Sequence, residues 1–175
     1  MVGLSAIIGS TEAEAFRLAE EFDELILPAV GLRQIVSFSG VDLGGYPLDG
    51  PVPLDQFPDL GTIQGHRSRT TLIVEMARRE SLTIRQLLRR LAGARGHQTI
   101  VGSAEQVADR IALWFDNGAA DGFNYMPAYL PGGLDSFVDG VIPILQKRGL
   151  FRRDYEGKTL RDHYDLPAPV ATGTR

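Results

Sequence analysis

The chain has 175 residues, about one domain's length, and its 43% hydrophobic and 23% charged residues exclude wholesale disorder, a collagen repeat and a coiled-coil rod. It holds no cysteine, which excludes disulfides, thiolate metal sites and cysteine nucleophiles. Its net charge of −4, from 18 basic against 22 acidic residues, supplies no general attraction to nucleic acid or an anionic membrane.

Leu4-Ser5-Ala6-Ile7-Ile8-Gly9 reads as a strand, and Thr11-Glu12-Ala13-Glu14 as a capping box that starts a helix. Phe16, Ala19, Phe22 and Ile26 recur at helical spacing, and Pro28 ends the helix. A short helix through Leu32, Ile35, Val36 and Phe38 leads into Gly40 to Gly65, a Gly- and Pro-rich stretch that reads as a lid or insertion, Asp42 to Gly65 being expected as a mobile cover that packs on the C-terminal end of the strands through Tyr46, Leu48, Leu54 and Phe57. Helices follow at Ser68 to Arg79 and, after the capping box Thr83 to Gln86, from Thr83 to Ala92 with Gly93 as the stop.

Gln98 to Val101 is a brief extended segment. Ser103 and Gln106 cap the clearest helix, with an apolar stripe of Val107, Ala108, Ile111, Trp114 and Phe115 and a stop at Asn117-Gly118. Ala120 to Met126 reads as a strand, and Leu134 to Arg148 as a last helix with Phe137, Val141, Ile144 and Leu145 inward and a bend at Pro143. The tail beyond Gly149 is polar. This rhythm is that of an α/β protein with parallel strands, Leu4 to Ile8 and Ala120 to Met126 being expected as neighbours or near-neighbours. Two clear strands leave unpaired edges, so the chain reads as part of a larger structure or one that borrows strands from a partner.

Four phrases in order carry a resemblance: Gly93 to His97, Val101 to Asp109, Gly118 to Asn124 and Tyr129 to Asp135, followed by the tail phrases Gly149 to Arg152, Tyr155 to Gly157, Thr159 to His163 and Leu166-Pro167. The chain resembles the C-terminal part of flavin-dependent monooxygenases of the nitrilotriacetate, dibenzothiophene-sulfone and pristinamycin-synthase type, in the bacterial-luciferase superfamily. The resemblance implies a partial (β/α)8 TIM barrel: the last two strand–helix units, a long insertion at about 29–96 and a polar tail at 150–175, with Met1 inside a barrel strand. It also implies a two-component enzyme that uses reduced FMN from a flavin reductase, with O2, on a small organic substrate, commonly as a homo-oligomer. The family's main flavin and phosphate contacts lie in the N-terminal strands, so residues 1–175 alone are expected to be inactive and to bind FMN weakly or not at all.

In such barrels the site sits at the C-terminal ends of the strands, which singles out Asn124, Tyr125, Met126 and the loop Pro127 to Gly133. Alternation sends Asn124 and Met126 one way, toward a flavin or substrate, and Phe123 and Tyr125 the other; plain packing is the competing reading. His97 is a candidate polar group near the site mouth, with a structural hydrogen bond as its alternative. His66 and His163 read as surface and structural residues. The three histidines are too scattered for a metal site.

Flavin oxygenation needs no protein nucleophile, so the missing motifs do not count against it. Two further readings share the chain: a non-catalytic assembly fragment that docks on a full-length homologue, and a deazaflavin-dependent oxidoreductase of the same superfamily. The basic cluster Arg78, Arg79, Arg85, Arg89, Arg90 and Arg95 suits a DNA-binding helix-turn-helix only if a second helix follows at once, and Gly93 to Gly102 offers an extended segment instead. No stretch approaches the roughly 20 apolar residues of a membrane span, and no basic region precedes the short apolar run after Met1, so a cytoplasmic location without membrane or nucleic-acid partners is expected.

Overall fold

The computed structural model describes residues 1–59, 67–94, 97–164, 166 and 167. The first apolar run forms β1 (Val2–Gly9), in which Leu4, Ser5, Ala6 and Ile7 are all buried. A strand buried on both faces belongs inside a sheet. It has a parallel neighbour on each side, β2 (Gln98–Ser103) and β3 (Phe123–Tyr125), in the order β2-β1-β3. The two strands expected as parallel neighbours are therefore paired, and the brief extended segment proves to be a full third strand. Its side chains alternate too weakly in hydropathy to be counted from sequence. The bond from the Met126 N–H to the Leu4 carbonyl (2.8 Å) carries the ladder one residue past β3.

Register fixes which side chains share a face. Leu4, Ala6 and Ile8 lie with Ile100, Phe123 and Tyr125 and pack on α5 (Ala104–Asp116), α6 (Gly132–Ser136) and α7 (Ile142–Lys147) through Val107, Ala108, Ile111, Phe137, Val141 and Leu145. Gly3, Ser5 and Ile7 point the other way, in register with Thr99, Val101 and Asn124. That side is met by α1 (Glu12–Glu24) and α4 (Ile84–Ala94), which contact β1 and β2 but add nothing to the α5–α7 cluster. Right-handed crossovers on a sheet of this order also put α1 and α5 on opposite faces. The described strands thus form a small parallel α/β sheet, with the apolar β1 at its centre and helices on both faces.

The capping of α1 is only half as expected. The Thr11 Oγ1 accepts the Glu14 N–H (3.2 Å), but the Glu14 carboxylate turns back to Ser10 and accepts its N–H (2.8 Å). The expected apolar stripe is also rotated: Ala15 is fully buried whereas Phe16 is 51% exposed. The tight junction is the cause, since a Cβ at Gly9 would fall 2.5 Å from the Ala15 backbone N and only a small side chain fits there.

Pro28 does not merely end α1; it opens α2 (Pro28–Ser39), where its fixed φ and missing N–H suit the first turn. Gly40 stops α2 in the left-handed region at φ 75°. With α3 (Arg67–Glu80) and α4, α2 encloses a second core that includes Ile35, Leu43, Ile73, Ile84 and Leu87. The stretch from Val41 to Phe57 belongs to this core rather than to the strands. Val41, Val52 and Phe57 are buried in it, Leu48 and Leu54 pack against it, and Tyr46 stays at the surface. The lid expected to pack on the strands is thus a docked loop. It satisfies the free N–H groups at the start of α4: Ile84 donates to the Gly50 carbonyl (3.0 Å) and Arg85 to that of Leu48 (2.7 Å). Arg85 also grips Asp49 with two bonds of 2.6 and 3.0 Å. Residues 60 to 65 of the expected lid lie outside the described residues. Helix α4 continues through Gly93, the expected stop, to Ala94.

Around Pro143 the last helix is not broken. A π turn over Phe137–Val141 joins α6 to α7, with the Ile142 N–H bonded to the Phe137 carbonyl. Pro143 has no N–H to give Asp139, and the widened turn accommodates that loss. Leu150 and Phe151 then return to the sheet's core, while α8 (Leu160–His163) lies exposed.

Candidate functional site

Three of the sequence-derived candidates lie together. Gly3 pairs with Asn124, and one step before the Leu4–Gln98 pair it stands beside His97. His97, Gly3 and Asn124 therefore form one row across the three strands, and Thr99, Ser5 and Met126 form the next. A Cβ on Gly3 would fall 2.7 Å from the His97 Nδ1, so the imidazole lies against the bare backbone of β1. His97 and Asn124 are exposed and Met126 is half-buried.

Tyr125 is not brought together with them. It lies on the other face, stacked on Phe137 with ring centroids 3.8 Å apart, and its hydroxyl donates to the Gly133 carbonyl at 2.9 Å. Burial, helped by nearby Tyr129, pushes its pKa up to about 12. The alternation expected for residues 123 to 126 is the one observed. His163 sits in the tail, its ring 4.7 Å from Tyr155. His66 and Arg95 lie outside the described residues.

Sequence reasoning missed Gly3 and Ser5. The available signal was Ser5 itself, a polar residue within an apolar strand, and a glycine two residues before it. The two strand-to-helix junctions are filled by the chain's own side chains. At α5, the Ser103 Oγ accepts the Gln106 N–H (3.3 Å) and Gln106 accepts the Ser103 N–H (2.9 Å), with Glu105 beside them. At α1, Glu12 and Glu14 occupy the first turn. Hydrogen bonds from Ser10 hold the Glu14 carboxyl below its ordinary pKa. Two open clefts, of about 720 and 550 Å³, lie elsewhere, against α3 and in the tail.

Four of the six arginines of the cluster form ion pairs: Arg79 and Arg90 with Glu80 (2.9 Å each), Arg85 with Asp49, and Arg89 with Asp23 (3.8 Å). A strand follows α4, so no helix-turn-helix forms there. Among the described residues no helix is long and apolar enough to cross a membrane.

No family model matches the chain. Over 171 residues it is 47% identical to an N-acetyl-S-(2-succino)cysteine monooxygenase of Bacillus subtilis (strain 168), a match covering 97% of the chain and 38% of that protein. It is 44% identical over 168 residues to nitrilotriacetate monooxygenase component A of Aminobacter aminovorans, covering 95% and 36%. Among solved structures, the EDTA monooxygenase of Chelativorans sp. BNC1 matches with a TM-score of 0.58 at 36% identity, over 93% of the chain and 37% of that one. A riboflavin lyase solved with modified FMN and riboflavin matches with a TM-score of 0.65 at 27% identity, over 93% and 34%. The chain spans little more than a third of the length of the curated relatives it matches. With nearly all of its own sequence aligned to them, the chain is a segment of the nitrilotriacetate, dibenzothiophene-sulfone and pristinamycin-synthase type of luciferase-like monooxygenases.

Proposed function

We propose that the chain acts as one part of a two-component flavin-dependent monooxygenase, in which reduced FMN from a flavin reductase and O2 oxygenate a small organic substrate. In that enzyme β1, β2 and β3 would be strands of a (β/α)8 barrel, residues 29–96 an insertion and 150–175 a surface tail, in a cytoplasmic homo-oligomer. One observation carries the reading for this chain's own residues: His97, Asn124 and Met126 share the sheet face opposite the α5–α7 core. There they could line a ligand, with Asn124 able to hydrogen-bond a polar edge and Met126 supplying apolar contact.

By themselves these residues do not fit FMN. A phosphate seeks free backbone N–H groups at a helix N-terminus. At α5 the capping box takes part of them and Glu105 stands beside it; at α1 Glu12 and Glu14 supply repelling charge. Phosphate binding therefore belongs to parts of the enzyme that this segment does not include, and no catalytic step is assigned to its residues. When bound, the flavin itself carries the oxygen chemistry.

The test is a chimera in which this chain replaces the matching segment of the Bacillus subtilis N-acetyl-S-(2-succino)cysteine monooxygenase. Oxygenation of that enzyme's substrate with reduced FMN is expected, while the 175-residue chain alone should bind FMN more weakly than micromolar in a fluorescence titration. A folded chimera without turnover, or sub-micromolar FMN binding by the chain alone, would overturn the reading. The second reading, a non-catalytic segment docking on a homologue, draws on the exposed Leu25, Leu27 and Val30 around the start of α2. It requires co-purification with a full-length homologue and no turnover by the chimera.

A further inference from the structure

We propose that Ser5 is a ligand-binding residue of the polar sheet face, its hydroxyl reserved for a carbonyl or carboxylate oxygen of a bound small molecule; this rests on the monooxygenase reading above. Two polar side chains are buried among the described residues, Ser5 and Thr70. They differ in one respect. The Thr70 hydroxyl donates to the Phe38 carbonyl at 2.8 Å, whereas the Ser5 Oγ, in a residue 1% exposed, has no partner among the described residues. An unmet hydroxyl in a core destabilises the fold, and alanine would fill the same space without that penalty. Such a residue is explained when a partner arrives from outside.

The surroundings indicate what kind of partner. On the same face stand His97 and Asn124 one row away and Thr99 beside Ser5, all hydrogen-bonding groups, and none of the described strand residues on it is a carboxylate. Each of these groups can donate to an acceptor oxygen. Gly3 completes the arrangement, because its missing side chain leaves room for the His97 ring against β1. Such an oxygen could be the carbonyl edge of a flavin ring or the carboxylate of a substrate.

The experiment compares the chain with its Ser5→Ala and Thr70→Ala variants. Thr70→Ala should lower the melting temperature, while Ser5→Ala should raise it by about 2–4 °C. Amide NMR titrations with riboflavin, which has the ring without phosphate, and with nitrilotriacetate then separate the two sources of oxygen. One of the two should shift the Gly3, Ser5 and Asn124 amides in the parent chain, at least tenfold more weakly in Ser5→Ala. The proposal is overturned if Ser5→Ala melts lower than the parent, if neither probe moves those amides, or if the variant binds equally well. Chimera turnover is read separately: its loss with both Ser5→Ala effects intact counts against the monooxygenase reading and leaves this site standing.

Discussion

The two cores of this molecule are finished to different degrees. Around α2, α3 and α4 the core is closed: loop carbonyls meet the first N–H groups of α4, Thr70 has its acceptor, and Arg85 locks Asp49. The sheet packs α5–α7 on one face and α1 and α4 on the other, yet among the described residues that second face carries a hydroxyl without a partner, and β2 and β3 present open edges. A region that satisfies its own polar groups can be a scaffold, whereas one that leaves them open is where a ligand or more chain has still to enter.

The largest expected effect tests whether the cores are separate. Leu87→Ala removes a fully buried side chain from the helical core and Leu4→Ala one from the sheet core, each costing about 2–5 kcal/mol in urea denaturation. Hydrogen exchange should speed up around α2–α4 in the first variant and around β1 and α5 in the second. Spread of either effect over both regions would break the comparison.

Next comes the β1–α1 junction. Gly9→Ala drives a methyl group against the Ala15 backbone, which cannot yield as a flexible side chain can. A loss of about 1–3 kcal/mol is expected, read as a lower denaturation midpoint. A neutral result would mean that α1 does not close onto the sheet end as described.

Removing the α5 cap with Ser103→Ala should cost about 1 kcal/mol and fray Ala104 to Gln106 in hydrogen exchange, leaving the helical core untouched. Alkaline titration probes the α5–α7 face of the sheet. An unfolded tyrosine ionises near pH 10, whereas folded Tyr125 does so at about 12. The folded state thus holds its proton more tightly. This stability is fully present below pH 10 and is lost as the pH rises toward 12. Tyr125→Phe should abolish that part of the alkaline loss, as measured by denaturation midpoints at pH 9 and 11.5.

The smallest effect is expected at the loop. Arg85 holds the exposed Asp49 carboxyl below its ordinary pKa, so the pairing is present above the unfolded carboxylate value and is lost as the pH falls through the lowered one. Asp49→Asn should therefore remove a slight acid sensitivity of the Leu48 to Val52 amides without unfolding the helical core. Acid sensitivity unchanged in the variant would place its origin elsewhere.

What the sequence determined by itself is local. The Ser103 and Thr83 capping boxes, the α3 and α5 spans, the left-handed stop at Gly118 and the alternation from Phe123 to Met126 all rest on bonds or spacings within a few residues, so the chain order suffices to read them. Tertiary structure decided the rest. The position of β1 between β2 and β3 and the docking of Val41 to Phe57 on α4 depend on partners dozens of residues away, and the rotation of α1 that buries Ala15 instead of Phe16 depends on how closely the helix closes onto the end of β1. The candidate site divides in the same way. Asn124, Met126 and His97 could be named from residue type and place in the chain, but their meeting on one face with Gly3 and Ser5 is a consequence of register. Register is set by which apolar side chains the sheet must bury, and one strand's sequence does not contain that information.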